Sequence, residues 1–155
     1  MHAIKGILVV ILCAISSILM AQERCSSLDT LYKSWYEDGW TDLSVVEKSL
    51  MSISQDSLKD DSSKILFRFL GSCYLYQKQD LGGTCREGFE SFLHDRMNHG
   101  IYDYSYLEAA VMLGDCYYAA NDLFQAETVY RNGILRCQVS GSAFIPCIIQ
   151  KSSNS

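Results

Sequence analysis

The chain has 155 residues, a formal net charge of −5 and seven cysteines. It carries no basic patch interleaved with aromatic side chains, which argues against nucleic acid or an anionic lipid surface as a partner. Its single proline, Pro146, comes late, so the chain before it is free to be helical throughout.

Residues 1–21 read as a signal peptide. Lys5 gives a charged start, Ile7 to Ile15 an apolar run, and Ser16, Ser17 and Ala21 a small-residue cleavage region. Cleavage is expected after Ala21, leaving Gln22 first. Gln22, Glu23 and Arg24 precede Cys25, a context unlike that of a lipid-modified cysteine. Loss of Lys5 leaves 12 basic against 18 acidic residues. The protein is therefore expected to be exported, to the periplasm or the extracellular space. No later segment is long and apolar enough to span a membrane.

Residues 22–137 then read as one helical domain of six helices in three pairs. The first runs from Ser27 to Tyr36, with Leu28, Leu31, Tyr32 and Trp35 at helical spacing. The second runs from Asp42, a natural N-cap, to Ile53. Asp61 is expected to cap a third helix reaching Lys78, with Ile65, Leu66, Phe69, Leu70, Cys73 and Tyr74 as its apolar positions. A turn at Asp80–Gly83 leads to a fourth helix capped by Thr84 and stopped at Gly100. Ser105 is expected to cap a fifth helix reaching Ala120. Asn121 and Asp122 turn the chain into a sixth, which ends near Cys137. Residues 138–155 form an irregular tail in which "AFIPCIIQ" is strand-like.

Two of these pairs share a motif. "LGSCYLY" (70–76) and "LGDCYYA" (113–119) both read Leu-Gly-x-Cys-Tyr, and each precedes a turn and a second amphipathic helix. Leu113, Gly114, Tyr117, Ala126 and Tyr130 in the later copy, and Leu70, Gly71 and Tyr74 in the earlier one, resemble the tetratricopeptide repeat, a helix-turn-helix unit. Cys85 stands where the small alanine belongs once two extra turn residues are allowed, and Phe89 answers Tyr130. The spacing from Leu70 to Leu113 is 43 residues, longer than the roughly 34 of that family, and longer-period Sel1-like repeats use the same motif. In physical terms, Gly114 and Ala126 allow two backbones to approach while Leu113, Tyr117 and Tyr130 fill the space around them. The fold expected is all-α: antiparallel helix-turn-helix repeats forming a short α-solenoid.

The resemblance implies a scaffold for binding a protein or peptide, lined by the first helix of each pair. Glu108, Asp115 and Tyr118 on helix five are the groove candidates, with Arg68, Ser72 and Tyr76 on helix three. Tyrosines suit such a surface because they offer contact area at low entropy cost. Catalysis is not expected. His94 and His99 show no metal spacing, and no nucleophile elbow, phosphate loop or dinucleotide glycine pattern occurs, so neither a cofactor nor a metal is implied. Two alternatives stand beside this reading: the front part of a larger exported enzyme, and an envelope protein that self-associates to cover an uncapped repeat end.

Without Cys13 of the signal, six cysteines remain. In an exported chain an even number suggests disulfides, and free cysteines also serve as small buried hydrophobes. Both readings stand at this point. Cys73 with Cys85, opposed in one hairpin, and Cys137 with Cys147, tying down the tail, are the candidate pairs.

Overall fold

The computed structural model describes residues 28–37 and 39–140, with Ser57 described by its backbone alone. The signal segment, Cys25, Cys147 and the tail from residue 141 lie outside them. The described residues are all-α: α1 (28–37), α2 (Leu43–Ser52), α3 (Asp61–Gln77), α4 (Gly83–Asn98), α5 (Tyr104–Ala119) and α6 (Leu123–Val139), with a single 3₁₀ turn at Gln55–Ser57. No strand occurs among them, and no helix is long and apolar enough to cross a membrane. The chain divides between Phe67 and Arg68 into two compact units, the boundary falling within α3.

In the first unit, α1 and α2 bury one face each. Leu28 and Trp35 are the buried positions of α1, Val46 and Leu50 those of α2. Trp40, in the link between them, is also buried and donates its indole N–H to the Leu31 carbonyl at 3.3 Å. Asp42 caps α2 as its sequence position predicts, accepting from the Ser44 amide at 2.9 Å.

The second unit holds two antiparallel hairpins. In the first of them α3 packs on α4: Phe69 stacks on Phe92 with centroids 3.9 Å apart and meets Phe89 edge-on at 6.0 Å. Gly88 lies against Ser72 and the Arg68 carbonyl so closely that a Cβ there would stand 2.0 Å from Ser72 Oγ and 2.6 Å from the carbonyl oxygen. In the other, α5 packs on α6, with Gly133 against Ala110 and Gly114 against the Tyr130 ring. The hairpins join through α4 and α5, where Glu90 accepts from the Tyr117 hydroxyl and the Arg86 guanidinium lies 5.5 Å above the Tyr117 ring. The connectors span residues 78–82 and 120–122, so the earlier hairpin does carry the two extra turn residues that align Cys85 with Ala126. Cys85 and Ala126 are both buried.

Three of the helix ends follow one recipe. α3, α4 and α5 each stop at a residue with positive φ: Gln79 (62°), Gly100 (66°) and Asn121 (60°). Each then makes the same two bonds back into its own helix: Asp80 to Leu75, Ile101 to Arg96 and Asp122 to Tyr117 close the longer loop, and Gln79 to Tyr76, Gly100 to Met97 and Asn121 to Tyr118 the shorter. This is the Schellman ending. Three expected caps move. Asp60, not Asp61, caps α3, because its carboxylate reaches the Ser63 amide at 2.7 Å, three residues on. Asp103, not Ser105, caps α5 by accepting from the Tyr106 amide at 3.1 Å, while buried Ser105 donates to the same carboxylate. α4 begins after Gly82 with no side-chain cap, so Thr84 is already inside the helix. Helix α6 continues two residues past Cys137, to Val139.

Candidate binding surface

The first helices of the two hairpins, α3 and α5, meet at Asp115. Its carboxylate accepts from the Tyr76 hydroxyl of α3 through Oδ2 and from the Tyr130 hydroxyl of α6 through Oδ1. A hydrogen bond to an ionised acceptor is stronger than a neutral one. One carboxylate thus ties three helices together. Both phenols are held in their protonated form well above the usual tyrosine range, by burial first and by the bond to Asp115 second. Tyr117 is pushed up to about 12, chiefly by its bond to Glu90. Gly114 is required beneath this clamp, since a Cβ there would stand 2.2 Å from Tyr130 Cε1. Gly71, its counterpart in the earlier motif, has open space where a Cβ would go.

The groove candidates separate into two kinds. Tyr118 is 66% exposed and Arg68 is also exposed, while Glu108 is half-buried. These three present at least part of their side chains to solvent. Ser72 does not: at 2% exposure it packs between α3 and α4, and its hydroxyl points at the Thr84 carbonyl, 3.5 Å away. Reading it as a groove residue is corrected by the glycine opposite, because Gly88 draws the two backbones together at that point. Asp115 and Tyr76 are half-buried and already bonded to each other, so they shape the surface more than they offer free polar groups to it. The 43-residue register makes Ser72 and Asp115 equivalent, whereas Arg68 and Tyr76 correspond to Val111 and Ala119.

The repeat-packing residues Leu70, Leu113 and Ala126 are buried, and Tyr74, Tyr117 and Tyr130 half-buried. The nearest atoms to a Cβ on Gly114 would be those of the Tyr130 ring, not Ala126. A second close contact across the hairpin is Gly133 against Ala110, where a Cβ on Gly133 would come within 2.8 Å of the alanine methyl. Gly88 and Gly133 were legible only as glycines inside otherwise regular helices.

Of the cysteines, Cys73, Cys85, Cys116 and Cys137 are buried free thiols. Cys85 has no disulfide to Cys73, the partner suggested by the hairpin spacing. It points across to α5, with its sulfur 3.7 Å from that of Cys116 and 3.4 Å from the Ser72 carbonyl oxygen. The contact with Cys116 and then burial push the Cys85 thiol far up, and the same contact holds Cys116 below the ordinary thiol value. Cys137 points at the Asp103 carbonyl, 3.9 Å away, and its suggested partner Cys147 lies outside the described residues.

A surface cleft of about 480 Å³ opens at the end of α6 between Gly100, Tyr102, Leu135, Arg136, Val139 and Ser140. Arg136 donates to the Tyr102 hydroxyl at 3.0 Å beside it. Among the described residues no group of His, Cys, Asp and Glu is arranged to hold a metal ion.

Comparison with known proteins finds no match to any family model, curated protein or solved structure.

Proposed function

We propose that the chain is an exported, non-catalytic scaffold that binds a protein or peptide through tetratricopeptide-like hairpins. The observation that carries this reading is the coupling of the two first helices at Asp115. A repeat scaffold presents a partner with a surface made of successive first helices. Here α3 and α5 are linked by the Tyr76–Asp115 bond, and Arg68 and Tyr118 stay exposed on them. The recurrence of Leu-Gly-x-Cys-Tyr, once per hairpin, supports the same reading.

The test is affinity capture from the secreted or envelope fraction of the source cells, comparing the mature chain with an Arg68→Ala/Tyr118→Ala variant. Both side chains are exposed, so the variant keeps its fold. A partner held by the parent and lost by the variant supports the scaffold and its surface. A partner held equally by both moves the interface elsewhere.

A second reading, self-association, is favoured by α6. Its surface exposes Leu123, Phe124, Ile134, Leu135 and Val139, with Phe124 at 75% and Val139 at 88%. They form two exposed apolar groups at the ends of the helix, either side of the exposed Glu127–Arg131 ion pair, and large exposed apolar patches mark interaction sites. Sedimentation velocity over a concentration series separates this reading from the first, with Phe124→Asp/Leu135→Asp as the variant expected to stay monomeric.

A further inference from the structure

We propose that Cys85 and Cys116 are joined by a disulfide when the chain folds in the presence of a thiol–disulfide oxidant, so that the two repeat hairpins are covalently linked.

The geometry is that of a bond nearly made. The two sulfurs face each other from α4 and α5 at 3.7 Å, and both side chains are fully buried. A disulfide requires a sulfur separation of about 2.0 Å, so the sulfurs must close by roughly 1.7 Å. Rotation about the two Cα–Cβ bonds is the motion available. The rest of the α4–α5 interface is held by Glu90 and Arg86 on Tyr117 and by the Arg96–Asp103 ion pair at 3.8 Å. The segment that the bond would close, from 85 to 116, contains the connector between the hairpins.

The oxidant is a disulfide of the glutathione class, and the balance is that of ordinary exchange. One protein thiol loses its proton, and its thiolate attacks a sulfur of glutathione disulfide. That S–S bond breaks, and one glutathione thiolate leaves. The second protein thiolate attacks the protein sulfur of the mixed disulfide and expels the other glutathione. The two cysteines together lose two electrons and two protons, and one glutathione disulfide becomes two glutathione thiols. Because both thiols are inaccessible in the folded chain, exchange takes place while α4 and α5 are still coming together.

The sequence makes the test unambiguous. Trypsin leaves Cys73 in peptide 69–78, Cys85 in 79–86 and Cys116 in 97–131, and it puts Cys137 and Cys147 together in 137–151. The full chain is refolded from denaturant in a buffer of oxidised and reduced glutathione, free thiols are alkylated, and the unreduced digest is mapped by mass. The expected product is 79–86 joined to 97–131, released by reductant, in the parent chain and equally in a Cys73→Ser variant. The oxidised protein should melt on the order of 10 °C above its reduced form. Any of three results overturns the proposal: 69–78 joined to 79–86, both target peptides found alkylated, or both found only as glutathione adducts.

Discussion

Gly71 and Gly114 occupy the same place in the two motifs and should respond oppositely to alanine. Alanine in a helix interior is favoured over glycine by about 1 kcal/mol. At Gly71 a Cβ meets nothing within 4 Å, so Gly71→Ala should stabilise by up to that amount. At Gly114 the Cβ would lie 2.2 Å from Tyr130 Cε1 and 2.6 Å from both Cδ1 and Cζ. The ring must move, and overpacking of this kind costs roughly 1–3 kcal/mol. Moving the ring also loosens the hydroxyl from Asp115, a bond to a charged group worth about 1.5–3 kcal/mol at most and less here because both residues are half-exposed. Set against the helix gain, Gly114→Ala should destabilise by roughly 1–3 kcal/mol. Urea unfolding followed by circular dichroism measures both variants. A double-mutant cycle isolates the cause: in a Tyr130→Ala background the Gly114→Ala cost should vanish and turn into the ordinary helix gain. If both alanines shift stability alike, or if the cost at 114 survives the loss of the Tyr130 ring, the account of this motif is wrong.

Gly88→Ala should be the most damaging of the helical glycine changes, because its Cβ would meet the Arg68 carbonyl oxygen at 2.6 Å and backbone cannot swing aside; expression and thermal melting should show a loss of more than about 3 kcal/mol or failure to fold. Asp60, whose side chain bonds the Ser63 hydroxyl and amide, has its pKa held below 3.8 in the folded chain. Its contribution is therefore fully present above the ordinary aspartate range and lost as pH falls through the lower folded value. Melting temperatures measured down the acid range should fall less steeply in Asp60→Asn than in the parent. Tyr117 is raised from 10.0 to about 12, so its share of stability is intact below pH 10 and disappears as pH rises toward 12. Ultraviolet titration of phenolate in parent and Tyr117→Phe should assign one late-titrating tyrosine to it, and a Tyr117 that ionises with the exposed tyrosines would contradict the Glu90 bond.

The helices were legible because their apolar residues recur at helical spacing, and Leu-Gly-x-Cys-Tyr marked the first helix of each of two hairpins. The caps were harder. Asp60-Asp61 and Asp103-x-Ser105 each offer two capping side chains within three positions, and local sequence does not say which of them reaches the third amide of the helix. Ser72 misled for a different reason. Its spacing from Arg68 and Tyr76 is that of one helix face, yet Gly88 on the neighbouring helix brings the backbones close enough to bury it. The meeting of Cys85 and Cys116 crosses from one hairpin to the next, so spacing within either hairpin cannot reveal it. Asp115 was visible as a polar residue on the first helix of a repeat, but the two hydrogen bonds it accepts from Tyr76 and Tyr130 depend on three helices converging.

The shared endings of α3, α4 and α5 have a consequence for engineering and for divergence. Each helix is released in the same direction by backbone bonds to its own last turn, whether the left-handed residue is Gln79, Gly100 or Asn121. The junction is thus written in the main chain and barely constrains side chains. Connectors of different length, 78–82 and 120–122, leave from equivalent junctions. Such junctions behave as interchangeable sockets: a connector can be lengthened, shortened or transplanted between hairpins while the helix that precedes it keeps its exit, and new surface can be grafted there without rewriting the packed faces.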